Sequence, residues 1–140
     1  MSKRLNERFL SSYIELEKTC CEKFGVPTGG VTEYINRLNN ARFAPGRDEA
    51  LPRLVRYRGI RNKIAHEISV LRSGSDATKA DITWIKKFNR EVLRRKDPIS
   101  TYLRHARRLA RRRRVKRYVT FGAFILLVML IIVLLILFLK

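Results

Sequence analysis

The C-terminal end of the chain carries the feature that most restricts its fold. Residues 119–139 contain no charged side chain and are almost wholly apolar. As an α-helix, this run spans roughly 31 Å at 1.5 Å per residue, which is enough to cross the hydrocarbon core of a bilayer. A buried helix of a soluble protein would need partners of its own size, and no second run of this kind is present. The sequence therefore predicts a single transmembrane helix over residues 119–139.

The segment before this run, residues 104–118, is strongly basic, and no Asp or Glu interrupts it. By the positive-inside rule we expect a single-pass protein of the cell inner membrane, with its N-terminal domain in the cytoplasm. Anionic lipid headgroups attract such cations at roughly 1 kcal/mol each, and we favour this as the main role. RNA phosphates are a second, compatible partner. The basic residues are Arg104, Arg107, Arg108, Arg111, Arg112, Arg113, Arg114, Lys116 and Arg117.

The composition of the whole chain also indicates an anionic partner. The net charge of +19 indicates an anionic partner: nucleic acid, acidic lipid or both. The only two cysteines, Cys20 and Cys21, are adjacent, and no Cys/His ligand pattern accompanies them. The sequence therefore predicts neither a disulfide framework nor a metal site, and it predicts no cofactor.

The first hundred residues show helical periodicity and no strand-like alternation. Apolar residues recur at spacings of three and four, which is typical of amphipathic helices. Turn residues separate the periodic segments. The predicted helices are residues 4–23, residues 31–42, a third from Asp48 as N-cap to about Arg72, a fourth opened by a capping box at Thr78 and Asp81, and a fifth with Asp97 as N-cap and Pro98 at its first position.

These elements predict three parts. Residues 1–103 form an all-α bundle of four to five helices. Residues 104–118 are a basic juxtamembrane segment, and residues 119–139 are the transmembrane helix. Trp84 in the fourth helix is expected to be a core or dimer contact rather than a platform for stacking bases.

The third predicted helix has one polar and one apolar face. Arg58, Asn62 and His66 recur every four residues, so they share a face, and Arg61 lies at its border. Gly59 costs roughly 1 kcal/mol relative to Ala in such a helix. Either RNA or a partner helix approaches the backbone there, or the glycine is simply tolerated. The apolar positions are Tyr57, Ile60, Ile64, Ile68 and Leu71.

The hexapeptide Arg61-Asn62-Lys63-Ile64-Ala65-His66 resembles the Arg-x4-6-His signature of HEPN domains, in which an Asn often follows the Arg. The resemblance covers residues 1–103 and implies a small helical bundle. Many HEPN domains are metal-independent endoribonucleases that act as dimers in toxin–antitoxin, phage-defence and CRISPR systems, whereas others only bind nucleotides or are inactive. The resemblance implies that Arg61 and His66 are the catalytic pair, with Asn62 in support.

The residue types suit this chemistry. RNA carries its own nucleophile, the 2′-hydroxyl, and its cleavage needs a base, an acid and positive charge for the transition state. Histidine titrates near neutral pH and serves as base or acid. The planar guanidinium of arginine binds phosphate oxygens, and an amide orients an imidazole or a phosphate. We expect Arg58 and Lys63 to add RNA-binding charge.

Geometry adds a requirement for a second copy. Arg61 and His66 lie about 140° apart around a regular helix, too far to share one small site comfortably. A two-fold homodimer that brings two copies of the helix together would solve this, and it matches how HEPN domains build their sites.

The leading hypothesis is a membrane-anchored, metal-independent endoribonuclease of HEPN type, acting as a homodimer in a bacterial defence or toxin setting with an antitoxin or defence-system partner. One alternative is a non-catalytic, membrane-tethered RNA- or nucleotide-binding or scaffold module. Another is an effector whose tail oligomerises and perturbs the bilayer. Against the last, the apolar run has no polar face and Gly122 is its only glycine.

Overall fold

A computed structural model describes residues 2–66 and 77–138, with the backbone alone at residues 2, 3, 66, 133 and 136. All regular structure within these ranges is helical, which confirms the all-α prediction. The predicted third-helix positions Ile68, Leu71 and Arg72 lie outside the described residues. The helices are α1 (Ser2–Phe24), α2 (Gly30–Asn40), α3 (Arg47–His66), α4 (Lys79–Leu93) and α5 (Pro98–Phe138).

The chain divides into two compact units, residues 1–102 and residues 103–140. In the first unit α1 packs against α2, α3 and α4, and α2 also packs against α3. The predicted apolar stripes of α1, α2 and α4 supply most of its core, so the helical periodicity identified the inward faces correctly. The large buried side chains are Phe9, Tyr13, Leu16, Cys20, Val31, Tyr34, Ile35, Leu38, Leu54, Tyr57, Ile60, Ile82, Ile85, Phe88, Val92 and Ile99.

Trp84, the only tryptophan, is a core contact, as predicted. Its ring stacks on Phe88 with 4.8 Å between the centroids and 9° between the planes. The ring of Tyr57 lies 5.5 Å away, and the guanidinium of Arg53 lies over the indole at 5.3 Å from its centroid. Because the indole is surrounded by these groups, it reports on the packing of α3 against α4.

The turn between α1 and α2 brings two helix backbones close together. Gly25, at φ 68°, ends α1, and the N–H of Val26 donates to the carbonyl of Cys21 at 3.1 Å. Gly30, the first residue of α2, is buried against α1. The N–H of Val31 then donates to the carboxylate of Glu17 at 3.1 Å, so a side chain of α1 satisfies one of the free donors of α2.

Replacement by alanine at Gly30 and at Gly59 is expected to change the stability of the fold in opposite directions. A Cβ at Gly30 would lie 2.6 Å from the carbonyl oxygen of Glu17, so Gly30→Ala is expected to cost about 3 kcal/mol through overpacking against backbone. A Cβ at Gly59 would meet nothing within 4 Å, so Gly59→Ala is expected to stabilise the fold by about 0.5–1 kcal/mol. Chemical denaturation of the full chain in non-ionic detergent, followed by Trp84 fluorescence, measures both.

The Gly59 result also bears on the two explanations of this glycine. The first unit leaves open space beside Gly59, so its own fold does not require the glycine. Destabilisation by Gly59→Ala would contradict the structure.

The start of α3 differs from the prediction. Asp48 is not the N-cap, because the helix begins at Arg47 and the N–H of Ala50 donates to the carbonyl of Gly46 at 3.0 Å. Gly46, at φ 75°, makes the turn into the helix. The side chain of Asp48 is exposed in the first turn, 3.3 Å from the guanidinium of Arg47. A carboxylate there still interacts favourably with the helix dipole.

The predicted fifth helix, basic segment and transmembrane helix form one continuous helix, α5, rather than separate elements. No proline follows Pro98, and the basic segment consists mainly of Arg, Leu and Ala, which are strong helix formers. Asp97 caps this helix as predicted, since it accepts a hydrogen bond from the N–H of Ser100 at 3.3 Å.

The C-terminal part of α5 is long and apolar enough to cross a membrane. A stretch of 18 residues within Lys79–Ile132 has a mean hydropathy of 2.0, and none of it is buried. This stretch falls in α5, because charged residues are frequent throughout residues 79–117. Large apolar side chains such as Phe124 and Leu126 are exposed there.

Candidate functional site on the third helix

A polar network fixes α3 against α4 just before the candidate residues. The hydroxyl of Tyr57 donates to Asp81 at 3.0 Å, and a guanidinium N–H of Arg56 donates to the same carboxylate at 3.3 Å. Asp81 also closes the predicted capping box with Thr78, which the structure confirms. Burial alone would raise the pKa of Asp81, but the hydrogen bonds from Thr78 and Tyr57 outweigh it and lower this pKa. Asp81 therefore holds the middle of α3 in place as a carboxylate.

The two faces of α3 are largely as predicted. Tyr57 and Ile60 are buried and Ile64 is packed against the core, so the apolar face is confirmed over the described residues. The position of Arg58 on the polar face and of Arg61 at its border predicts that Arg58 is the more exposed of the two, but the structure shows the opposite. Arg58 is half-buried, whereas Arg61 is exposed, because the covered arc of α3 extends beyond its apolar stripe towards Arg58.

The last described turns of α3 expose three of the candidate groups to solvent. Arg61, Asn62 and Lys63 are exposed. A guanidinium N–H of Arg61 donates to the side-chain oxygen of Asn62 at 3.2 Å. The amide nitrogen of Asn62 and the remaining guanidinium N–H groups of Arg61 are further donors of a kind that an anion accepts.

Tyr13 of α1 lies near the two arginines. Burial raises the pKa of the Tyr13 hydroxyl, and the nearby Glu17 raises it further, whereas Arg61 and Arg58 act in the opposite direction. Both guanidinium groups therefore act electrostatically on the buried phenol of α1.

His66 is the last residue of α3 that the structure describes, and only its backbone is described. Its Cα lies about 7.5 Å along the helix axis from that of Arg61, at 1.5 Å per residue. The structure therefore brings Arg61 and Asn62 into contact, places Arg58 and Lys63 in the neighbouring positions of α3 on other sides of the helix, and places His66 about one turn further along, while its imidazole lies outside the described residues. Over residues 2–66 and 77–138, no three His, Cys, Asp or Glu side chains are grouped as metal ligands.

A second polar cluster was not predicted from the sequence. Asp97, fully buried, accepts hydrogen bonds from the ammonium of Lys23 at 2.6 Å and from the hydroxyl of Tyr34 at 2.7 Å. Lys23 also donates to the hydroxyl of Ser100 at 2.8 Å. Burial by itself would raise the pKa of Asp97, but the bonds from Lys23, Ser100 and Tyr34 lower it. The cluster joins α1, α2 and the start of α5, and its burial gives it a structural role.

The described residues define a small all-helical domain followed by a long helix with an exposed, apolar C-terminal part. By sequence, the chain belongs to DUF6548, a family of unknown function whose model matches residues 7–120. The match includes α3 and the basic segment, and it ends at the start of the apolar run. No curated protein and no solved structure matches the chain.

Proposed function

We propose that this protein is a membrane-anchored endoribonuclease of the HEPN type, which cleaves RNA without a metal ion in a bacterial defence or toxin system. The observation that carries the proposal is the exposed, cationic surface of the last described turns of α3. There Arg61 and Asn62 are hydrogen-bonded to each other at 3.2 Å and exposed to solvent, five and four residues before His66, respectively. Position in the helix, exposure and residue type all agree with the Arg-Asn-x3-His resemblance.

Each group has a task in this mechanism. His66 takes the proton from the 2′-hydroxyl or returns one to the 5′-oxygen that leaves, and the 2′-oxygen attacks the adjacent phosphorus. Arg61 stabilises the charge that develops on the phosphoryl oxygens. Asn62 orients the imidazole or the phosphate. Arg58 and Lys63 hold neighbouring phosphates through their positive charge.

The proposed site is built from two copies of the chain. Because Arg61 and His66 lie about 140° apart around α3, one copy presents them in different directions. In a two-fold dimer, the Arg61 of one copy can face the His66 of the other, so the single interface then contains two composite sites, each with a complete set.

The proposed location follows from α5. Its apolar part crosses the inner membrane, and the basic segment retains the helical domain on the cytoplasmic side. RNA is a cytoplasmic substrate, so this orientation places the domain in the same compartment as its target. An antitoxin or defence-system partner would control the activity there.

The test is an RNA cleavage assay on full-length protein reconstituted into lipid nanodiscs. Cleavage is expected to survive excess EDTA, because side chains alone perform the proton transfers. The products are expected to end in 2′,3′-cyclic phosphate, since the 2′-oxygen is the nucleophile. A strict requirement for Mg²⁺, or products with 3′-hydroxyl ends, would contradict the mechanism.

Two other outcomes would replace the proposal. RNA that binds but is never cleaved would indicate a non-catalytic, tethered binding module. Leakage of dye from vesicles that carry the protein, without RNA cleavage, would indicate a membrane-perturbing effector.

A further inference from the structure

Phe43 is the most exposed large apolar side chain among the described residues of the first unit, with an exposed fraction of 88%. It lies between α2 and α3 in residues 41–46, which we call the Phe43 turn. Burial of a phenylalanine ring is among the larger favourable contributions that a single side chain makes to folding. The fold of the first unit does not use this ring, so the ring is accessible to a ligand.

The backbone of the Phe43 turn is fixed on both sides of the ring. The N–H of Ala41 donates to the carbonyl of Arg37 at 3.0 Å, and the N–H of Ala44 donates to the carbonyl of Ala41 at 3.0 Å. The N–H of Arg47 then donates to the carbonyl of Ala44 at 3.1 Å. Both alanines are buried in the core. Because the turn is anchored before any ligand arrives, binding to it costs little conformational entropy.

A second turn, residues 94–97 between α4 and α5, borders the Phe43 turn. Pro45 and Gly46 line the same cavity as Lys96 and Pro98. A Cβ at Gly46 would lie 3.7 Å from the ring of Pro98. The two turns therefore lie side by side, and their side chains belong to one surface of the first unit.

This surface carries cations that the fold leaves unpaired. Three exposed basic side chains of the two turns form no ion pair with any residue that the structure describes, namely Arg42, Arg94 and Lys96. By contrast, Arg47, just after the Phe43 turn, is paired with Asp48 at 3.3 Å. Proteins that hold single-stranded nucleic acid combine such cations, which contact phosphates, with aromatic rings on which bases stack.

Two other anionic partners fit these observations less well. A protein interface is centred on several apolar side chains, whereas the residues on either side of Phe43 are the exposed Arg42 and the buried Ala44. An anionic bilayer is a broad surface, and close to the Phe43 turn it would also meet the exposed carboxylate of Asp48. A single strand is narrow, so it needs only one ring and a few nearby cations.

We propose that the Phe43 turn binds single-stranded RNA, with the Phe43 ring stacked on an unpaired base and the three cations at neighbouring phosphates. Every base has a π-face, so such a site adds affinity with little preference for sequence. Trp84 does not take this role, because its ring is stacked on Phe88 in the core. The choice of RNA as the ligand rests on the proposed function.

The test uses full-length protein in nanodiscs of phosphatidylcholine, with His66→Ala in every sample so that the RNA stays intact. Phe43→Ala removes the ring, and Phe43→Trp keeps an aromatic surface. Ile14→Ala is the matched control, since it removes another exposed apolar side chain, from α1. The probe is a short single-stranded RNA that contains 2-aminopurine, a base whose fluorescence falls when it stacks. Circular dichroism checks the helix content of each variant.

Phe43→Ala is expected to lower the affinity about tenfold, because stacking of one base on an aromatic side chain contributes about 5–150-fold. The fall in 2-aminopurine fluorescence on binding is expected to shrink with it. Phe43→Trp is expected to keep both the affinity and the fluorescence change, and Ile14→Ala is expected to stay within about twofold of wild type. On an abasic strand, Phe43→Ala is expected to bind as well as protein with an intact Phe43, since no base is left to stack.

The cations are tested through the salt dependence of binding. Arg42→Gln combined with Arg94→Gln is expected to lower the slope of log K against log salt by about 1.4, since each phosphate contact on a single strand contributes about 0.7. The matched control combines Arg8→Gln with Lys18→Gln, which removes two exposed charges from α1. This control is expected to leave the slope nearly unchanged.

Four results would overturn the inference. Unchanged affinity and fluorescence in Phe43→Ala would mean that the ring takes no part. An equal loss on intact and abasic RNA would mean that the ring does not stack on a base. Equal changes of slope in the two charge variants would mean that binding follows net charge alone. Stronger quenching of Phe43→Trp than of wild type by brominated lipid would assign the turn to the bilayer.

This result and the proposed function fail separately. If Phe43 stacks on RNA but protein with an intact His66 never cleaves it, the inference stands and the catalytic proposal fails. If RNA is cleaved while its binding is unaffected by Phe43→Ala, the reverse holds.

Discussion

His66→Ala is expected to lower the rate of RNA cleavage by about 10²–10⁴-fold, because it removes the proposed acid or base. The chain offers a matched control, since His105 is its only other histidine and lies exposed on α5. His105→Ala is expected to leave the rate within about twofold of wild type. Both variants are assayed in nanodiscs and purified in parallel with wild type, so that a contaminating nuclease would show as equal activity in all three.

The stability of the His66→Ala variant separates chemistry from folding. On the helical wheel, His66 lies away from the apolar stripe of α3, so the free energy of unfolding is expected to change by less than about 0.5 kcal/mol. Full activity in the variant would exclude His66 from the mechanism. A large loss of stability would mean that His66 packs into the domain and that the lost activity has a structural cause.

Subunit mixing extends the same experiment to the dimer. Arg61→Ala and His66→Ala are each expected to be inactive alone. In a mixed dimer, one composite site carries both changes and the other keeps an intact Arg61 and an intact His66. Activity is therefore expected to return, approaching half of the wild-type value per mixed dimer if the sites act independently. Mixtures that stay inactive, with wild-type activity that persists unchanged on dilution to monomers, would contradict a shared site.

The sequence was informative wherever a local pattern determines the structure. The inward residues of α1, such as Phe9 and Leu16, follow from helical periodicity alone, because removing the apolar face of an amphipathic helix from water is favourable. The capping box at Thr78 and Asp81 is likewise local, since both partners lie within one turn.

Local patterns did not predict the helix boundaries where the sequence is compatible with two backbone arrangements. Asp48 and Gly46 both suit the start of α3, and the glycine provides the turn because it accepts φ 75° without strain. In α5, residue composition changes sharply near Arg104, but a change from polar to basic to apolar side chains does not interrupt a helix whose backbone propensity remains high throughout.

The partners of the polar side chains could not be predicted from the sequence, because they depend on tertiary contacts. Asp97 was predicted as a helix cap, yet its strongest contact, with Lys23, joins residues that are 74 positions apart. Helical periodicity specifies which face of α1 is buried, but not which polar side chain of another helix meets Lys23. For the candidate site, the exposure of Asn62 could be predicted, whereas the greater burial of Arg58 depends on how α3 packs on its neighbours.

Asp97→Ala is expected to destabilise the helical domain by about 3 kcal/mol, because removal of one partner leaves buried polar groups unpaired. The carboxylate is fully buried, and the hydroxyl of Tyr34 has no exposure to compensate for its loss. The ammonium of Lys23 is partly exposed and recovers some hydration, which keeps the cost at the lower end of the range for buried ion pairs. Chemical denaturation in non-ionic detergent, monitored by Trp84 fluorescence, measures the loss.

Asp48→Ala is the matched control for Asp97→Ala, since it removes an exposed carboxylate that also pairs with a basic residue. It is expected to cost less than about 1 kcal/mol.

The pH dependence of Asp97→Asn tests whether the charge of Asp97 stabilises the fold. The pKa of Asp97 is lower in the folded state than the usual unfolded value of roughly 3.9, so its ionised form favours folding above that pH. The stability difference between wild type and Asp97→Asn should therefore be constant from about pH 5 to pH 8 and shrink as the pH falls below about 4. Asp81 also has a lowered pKa, but it is present in both proteins, so its contribution cancels in the difference. A difference that does not depend on pH would show that shape and hydrogen bonding, rather than charge, account for the contribution of Asp97.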